Sequence, residues 1–346
     1  PRSTPKPSSA ASDVYKRQGY LNFASGLRSV IAGGNSNNAS SNYATVGGGQ
    51  GNDATGDHST VGGGRDNTAS GVESTIGGGF DNTVSGEEST IGGGDRNNIS
   101  TNNSVIAGGE LNSISTGTYA SILGGLNNAT TGGKATVGGG EDNEASGEHS
   151  TVGGGDTNTA SNNFATVGGG DRNTASGERS TVGGGVNNTA TAEKSTVAGG
   201  DNNDASSFCA TAGGGKDNTA SSDHSTVSGG QNNTASTGTH ATVGGGQSNN
   251  ASNAYATIAG GNGNAASSTR ATIGGGRANT ASGAYSTVSG GNENTASGDY
   301  SNVSGGENNT ASGTKSTIGG GENNTASGLR ATVSGGNANT ASGTNN

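Results

Sequence analysis

The chain has 346 residues, of which 25% are hydrophobic and 3% aromatic, with 72 glycines and a formal net charge of −10. An acidic chain is a poor partner for nucleic acid, because the phosphate backbone is itself negative, and no apolar stretch is long enough to span a membrane. The single cysteine, Cys209, excludes a framework of internal disulfides.

Residues 1–18 differ from everything that follows, since they hold all three prolines and four of the sixteen basic residues. The stretch 8–18 reads like a translation of a transposase-type sequencing adaptor, and the first four residues resemble the matching outer adaptor. We interpret residues 1–18 as a non-native, disordered segment, because they also lack the apolar region of a signal peptide. The native chain is then expected to continue upstream of Gly19 and beyond Asn346.

From residue 19 onward the chain repeats every 15 residues, with a Val or Ile, here called the anchor, at 20 of 21 repeat positions. The spacing between anchors is 16 at two places, where Thr116-Gly117-Thr118 and Thr237-Gly238-Thr239 add one residue. We expect both insertions to lie in turns, because an extra residue in a strand would reverse its faces. The second and third residues after each anchor are Gly, and the sixth is Asn.

The alternation within each repeat predicts two short strands, such as Ser59-Thr60-Val61 and Asn67-Thr68-Ala69-Ser70. Identical residues at identical phase favour a coil in which each turn stacks on the next. The predicted fold class is therefore all-β, a parallel β-solenoid of about 21 turns over residues 19–346, which at ~4.8 Å per turn extends roughly 100 Å.

Each turn offers a thin core of one Val or Ile, one Ala and one Ser or Ala. Apolar burial at ~25 cal/mol per Å² is small for this set beside the ordering entropy of 15 residues. Either the coil is very flat, or several chains share a core, and we favour association of several chains.

The Asn after the glycines is predicted to form a structural ladder, because stacked amides can satisfy one another and the nearby backbone. Its members include Asn52, Asn67, Asn82, Asn143, Asn158 and Asn173. The glycines mark bends with positive φ or close backbone approach and do not form a phosphate-binding loop, since no Gly-Lys-Ser/Thr motif follows.

The residue three positions before each anchor is usually large, and all four His lie there. Stacked turns would align this column into one exposed contact ridge, which is either a binding surface or a tolerant solvated turn. Its aromatic and histidine members are Tyr43, His58, Tyr119, His149, Phe164, His224, His240, Tyr255, Tyr285 and Tyr300. His224 and His240 have no fixed carboxylate or Cys column beside them, so neither a metal nor another cofactor is predicted. Carboxylates recur at exposed positions without forming one converging pair, so no enzyme active site is predicted.

The repeat unit resembles the head repeat of the YadA-like trimeric autotransporter adhesins, over residues 19–346. The anchor Val61, its glycine, the inward Ala69 and Gly71 match that motif. The repeat differs in having 15 residues instead of 14 and in Asn67, which stands where that family usually has Ala. The resemblance implies a left-handed β-roll, a homotrimer joined through its inner strands, and display on the outer surface of a Gram-negative bacterium. Attachment to host matrix protein, glycan, host cells or biofilm would follow, with no membrane contact in this segment.

Two alternatives stay open. An outward Thr ladder precedes the anchors and includes Thr60, Thr75, Thr136, Thr151, Thr166 and Thr181. Regular hydroxyls on a flat sheet are typical of ice-binding proteins, although only one Thr per strand is present here. The other alternative is a passive stalk without a ligand, which shares every structural expectation with the adhesin.

Overall fold

The computed structural model describes residues 19–345, so the adaptor interpretation of residues 1–18 lies outside the described part. The chain divides after Asn158 into two compact units, here called unit 1 (residues 19–158) and unit 2 (residues 159–345). Each unit is a parallel β-solenoid with two short strands per turn and no helix among its described residues. The predicted fold class is confirmed, while the left-handed sense of the coil stays a prediction.

One strand of each turn ends at the anchor, and these strands form the valine sheet of each unit. In unit 1 they are Val30–Ile31, Thr45–Val46, Thr60–Val61, Thr75–Ile76, Thr90–Ile91, Val105–Ile106, Ser121–Ile122, Thr136–Val137 and Thr151–Val152. In unit 2 they are Thr166–Val167, Thr181–Val182, Thr196–Val197, Thr211–Ala212, Thr226–Val227, Thr242–Val243, Thr257–Ile258, Thr272–Ile273, Thr287–Val288, Asn302–Val303, Thr317–Ile318 and Thr332–Val333.

The second strand of each turn ends at the inward alanine position, and these strands form the alanine sheet. In unit 1 they are Phe23–Ala24, Asn38–Ala39, Asp53–Ala54, Thr68–Ala69, Thr83–Val84, Asn98–Ile99, Ser113–Ile114, Ala129–Thr130 and Glu144–Ala145. In unit 2 they are Thr159–Ala160, Thr174–Ala175, Thr189–Ala190, Asp204–Ala205, Thr219–Ala220, Thr234–Ala235, Asn250–Ala251, Ala265–Ala266, Thr280–Ala281, Thr295–Ala296, Thr310–Ala311, Thr325–Ala326 and Thr340–Ala341.

Register is kept through the whole of each unit, because every strand pairs with the same position of the next turn. The two insertions leave it intact: Ile106 still pairs with Ile122, and Val227 with Val243. Both extra residues lie in turns, as expected from the reversal of faces that a strand insertion would cause.

A third parallel ladder, which the sequence analysis missed, runs along the corner four residues after each anchor. Gln50 bridges Arg65, and Arg65 bridges Phe80. Near the start of unit 1 this corner lengthens into a strand pair, Gly19–Tyr20 with Gly34–Asn35. The ladder carries no fixed residue type, because its hydrogen bonds come from the backbone alone, and so no column in the sequence marks it.

The core is complete within one chain. In the turn around Val182, the side chains of Ala175, Ser180 and Asn188 are all fully buried together with the anchor. A thin core thus suffices inside each unit, because small residues let the sheets lie close and backbone groups pair from turn to turn. Any association between chains would have to use an outward face.

Buried serines beside the anchors provide a first prediction. The hydroxyl of Ser180 is buried without a hydrogen-bond partner among the described residues, whereas Ser195 Oγ donates to Ala192 O at 2.7 Å. Ser180→Ala is expected to raise the free energy of unfolding by ~0.5–1 kcal/mol, since an unsatisfied polar atom is removed. Ser195→Ala should lower it by about 1 kcal/mol. Urea unfolding of both variants checks this, and equal effects would contradict it.

Candidate contact ridge

The contact ridge consists of the residues three positions before the anchors, and the structure places each of them in a left-handed backbone turn. Tyr43, Tyr285 and Tyr300 have φ of 58°, 59° and 59°. The turn is held from the preceding turn of the coil: Tyr285 N donates to Thr269 O at 3.0 Å, and Tyr300 N to Ala284 O at 2.8 Å. The side chains therefore emerge in the same direction and one strand spacing apart.

Unit 1 contains short, separate stacks on the ridge. The rings of Tyr43 and His58 are stacked with centroids 4.6 Å apart, and the Arg28 guanidinium lies 5.5 Å from the Tyr43 ring. Glu73 and Glu88 follow in the next two turns, so the aromatic stack ends there. Two further ridge residues of unit 1 lie apart from this stack. Tyr119 is 60% exposed, and the Nε2 of His149 lies 3.5 Å from the Lys134 ammonium.

Unit 2 contains one long stack. His224 and His240 are stacked at 4.8 Å, and His240 and Tyr255 at 4.9 Å. The Arg270 guanidinium lies between the rings of Tyr255 and Tyr285, 5.4 and 5.2 Å from their centroids.

The stack continues from Tyr285 to Tyr300 at 4.8 Å, and the Lys315 ammonium lies 5.9 Å from the Tyr300 ring. Seven consecutive ridge residues are thus joined by ring or cation–π contacts.

The cations of this stack are the functional residues that sequence reasoning missed. Arg270 and Lys315 belong to the ridge column, but the aromatic and histidine members drew attention to themselves as the unusual residues. A signal was present, because each cation stands one repeat away from a tyrosine. Phe164 is similar: the Arg179 guanidinium lies 5.4 Å from its ring.

The Asn ladder lies on the inside of the turn that follows the glycines. Asn67 N and Nδ2 both donate to Asn52 Oδ1, at 3.1 and 3.0 Å, and Nδ2 also donates to the carbonyls of Gly63 and Gly79. The same pattern links Asn82 to Asn67 and continues through each unit, with the side chains almost fully buried. The ladder thus joins consecutive turns and satisfies glycine carbonyls that would otherwise be buried unpaired.

The Thr ladder lies on the outer side of the valine sheet, half-buried between its neighbours. Thr60 pairs with Thr75, Thr136 with Thr151, and Thr166 with Thr181. A second Thr ladder, not predicted, lies on the outer side of the alanine sheet, where Thr280, Thr295, Thr310 and Thr325 are in register. Uncharged β-branched residues suit both faces, because they pack against the same residue one turn away.

Two aspartates interrupt the second ladder, and burial raises the pKa of each. Asp204 stands where most turns of unit 2 have Thr, and desolvation raises its pKa above 3.8, opposed by a hydrogen bond from Ser206. Burial likewise raises the pKa of Asp53, with a smaller lowering by Asn38.

The raised pKa of Asp204 predicts a pH-dependent stability. The protonated form is favoured in the fold, so its contribution is present below pH 3.8 and is lost as pH rises through the folded pKa. Asp204→Thr is expected to raise the free energy of unfolding by ~0.5 kcal/mol at pH 7 and by almost nothing at pH 3. Urea titrations at both pH values check this, with Asp204→Asn as the isosteric control. A gain of equal size at pH 3 would contradict it.

Charge is unevenly distributed between the units. Residues 19–158 carry four basic and 14 acidic side chains, whereas residues 159–345 carry eight basic and 11 acidic ones. The ion pairs are exposed, such as Arg96 with Glu110 and Lys194 with Glu193, and exposed pairs stabilise little. Among residues 19–345 there is no group of three or more His, Cys, Asp or Glu side chains arranged to hold a metal ion. The same residues form no helix long and apolar enough to cross a membrane.

Comparison with protein families finds one short similarity. The model of the ubiquitous surface protein adhesin repeat matches residues 195–206. These residues run from a buried serine through the strand Thr196–Val197 and its glycines to Ala205, which is most of one turn. Comparison with curated proteins gives no match. Residues 195–206 are therefore similar to a repeat of surface adhesins.

Proposed function

We propose that the chain is part of a non-enzymatic, cell-surface adhesive fibre that attaches a bacterium to host matrix, host cells or biofilm. The observation that carries the proposal is the stacked contact ridge of unit 2, which presents His, Tyr, Arg and Lys side chains in line on consecutive turns. Exposed aromatic and arginine side chains are the residue types that dominate binding energy at interfaces.

The similarity of residues 195–206 to an adhesin repeat supports this proposal. The distribution of carboxylates supports it as well, because they recur at exposed turn positions and do not converge on one cavity. An extracellular location on the outer surface of the bacterium belongs to the same proposal.

A homotrimer is part of the proposal too. Because the inward columns are already buried in one chain, we place the shared interface on an outward face, where the Thr ladder of the valine sheet is uncharged and regular. Sedimentation equilibrium of the whole chain tests this, and a well-folded monomer at high concentration would reject it.

Adhesion is tested with beads coated with the chain and allowed to settle on collagen films and cultured cells. Tyr285→Asn with Tyr300→Asn should reduce attachment about tenfold, as expected for the loss of central tyrosines. Asn is chosen because it tolerates the left-handed backbone and already occurs in the ridge as Asn103.

The matched control removes two apolar side chains from the corner ladder, Leu126→Asn and Val186→Asn, where Asn262 and Asn292 stand in other turns. The control should attach like the unaltered chain. Equal attachment by all three proteins would contradict a role for the ridge, and no attachment by any of them would favour a passive stalk.

A second candidate function, ice binding, is favoured by the alanine sheet. In five consecutive turns an outward Thr and an exposed Ser flank the inward Ala, as in Thr310-Ala311-Ser312. These pairs form two parallel hydroxyl columns, which is a more regular surface than the single Thr column of the valine sheet.

Inhibition of ice recrystallisation by the whole chain tests this candidate. Activity lost on Thr295→Tyr with Thr310→Tyr would support the alanine sheet as the ice-binding face. Activity lost on Thr151→Tyr with Thr181→Tyr would assign the valine sheet, and inactivity at high concentration would remove the candidate.

A further inference from the structure

The ridge of unit 2 differs in charge from the rest of the molecule. It contains Arg179, Lys194, Arg270, Lys315 and Arg330, and no ridge residue of unit 2 is acidic. Arg179 and Lys194 are paired with the glutamates that precede them, at 2.7 and 2.8 Å. For the other three, no carboxylate of the described residues lies within ion-pair distance. A local line of cationic groups therefore exists on a chain that is acidic overall.

Two aspartates stand beside this part of the ridge and are held in its turns. Asp299 Oδ1 accepts a hydrogen bond from Ala284 N at 2.9 Å, and Asp223 Oδ1 accepts one from Ser207 Oγ. Both carboxylates therefore serve the backbone or side chain of the preceding turn. Between Tyr255 and Arg330 the ridge thus presents three cations and three tyrosines with one neighbouring carboxylate.

The stacking determines which parts of these side chains are available to a partner. The faces of Tyr285 and Tyr300 are turned toward each other, with an interplanar angle of 7°, and the Arg270 guanidinium covers the other face of Tyr285. Arg270 Nη1 also donates to the Tyr285 hydroxyl at 2.6 Å. A partner consequently meets ring edges, phenol oxygens and the remaining N–H groups of the guanidinium.

We propose that this ridge segment, from Tyr255 to Arg330, binds an acidic polysaccharide that lies along the turns. Arg270, Lys315 and Arg330 pair with its carboxylate or sulfate groups, and the tyrosine hydroxyls bond to its sugar hydroxyls. The assignment rests on the proposed adhesive function and names the ligand class of its ridge. Cations that lack an ion-pair partner of their own recognise anions, and a guanidinium suits planar carboxylate and sulfate oxygens in particular.

Nucleic acid, the other common linear polyanion, fits this surface less well. Single strands bind through bases that stack on free aromatic faces, and here the ring faces are covered by neighbouring side chains. Unit 2 also has more acidic than basic residues, so it lacks the broad positive field that holds a phosphate backbone. A sugar chain, which offers hydroxyl groups and more widely spaced charges, matches a line of phenol oxygens with occasional cations.

The test measures binding of the whole chain to immobilised chondroitin sulfate, with neutral dextran and oligothymidylate of similar length beside it. We expect binding to chondroitin sulfate that weakens with salt, and little to the other two. Arg270→Asn with Lys315→Asn should weaken binding about tenfold. The matched control, Lys216→Asn with Arg277→Asn, removes two cations from the corner ladder of unit 2 and should change binding less than about twofold.

Circular dichroism of both double variants verifies that the fold is kept. Equal losses in the two variants, or stronger binding to oligothymidylate than to chondroitin sulfate, would overturn the proposal. The bead assay separates this proposal from the adhesive function itself. Beads that attach although the chain does not bind chondroitin sulfate reject the glycan alone, whereas failure in both assays rejects the adhesin as well.

Discussion

Gly261→Ala is expected to disrupt the coil of unit 2, whereas the same change at the preceding residue, Gly260→Ala, is expected to be tolerated. Gly261 has φ of +96°, and an added Cβ would overlap the carbonyl oxygen of Gly276 and lie 2.6 Å from Asn264 Nδ2. A Cβ on Gly260 would meet nothing within 4 Å, and its φ lies outside the left-handed region. The two backbones share one bend, so the pair isolates the effect of close stacking between turns.

We expect Gly261→Ala to lower the free energy of unfolding by ~3 kcal/mol or more, since left-handed strain adds to a clash with rigid backbone. Gly260→Ala should change it by less than about 0.5 kcal/mol. Solenoids lose cooperativity over long arrays, so amide hydrogen exchange is the better measurement than a single melting temperature. Fast exchange should appear in the turns next to Gly261. Similar protection in the two variants would show that the turns do not stack as closely as described.

Asn294→Ala is expected to produce the other large effect. Its Nδ2 donates to Gly290 O, Gly306 O and Asn279 Oδ1 at 2.9–3.2 Å, and its Oδ1 accepts from the backbone and side chain of Asn309. Truncation leaves several of these buried groups without partners, each at ~1–3 kcal/mol. We expect a total loss of about 3 kcal/mol or more, because the narrow turn has little room for water to replace the amide.

The control for this prediction is Asn308→Ala, the neighbouring residue whose side chain is exposed and bonds to Asn323. It should change stability by less than about 0.5 kcal/mol. Hydrogen exchange and urea unfolding of the two variants are compared directly. A small effect of Asn294→Ala would mean that the ladder contributes little beyond filling space.

Much of the fold follows from the repeat itself. A period of 15 residues with Val61 and Ala69 at fixed phase requires that equal positions stack, because only then does each inward side chain lie on its own kind. The period of two then separates the inward Val61 from the outward Thr60. The same logic places the insertions in turns.

The ridge shows where that logic ends. The column of large residues before the anchors is visible in the sequence, but its contacts are not. Whether Arg270 lies between two tyrosine rings depends on the left-handed backbone that all three share and on the spacing of the turns. Large side chains are uncommon in that conformation, so the residue types give no hint of it.

The sequence by itself determined that this protein is a stack of near-identical turns, with its inward columns and its Asn ladder position known in advance. The tertiary structure alone decided that the core closes within one chain, that a third backbone ladder forms the corner at Gln50, and that the cations of unit 2 join the tyrosines in one line. The physical reason is that residues about 15 positions apart come within about 5 Å in every turn, so a surface is made by neighbours that no local pattern identifies.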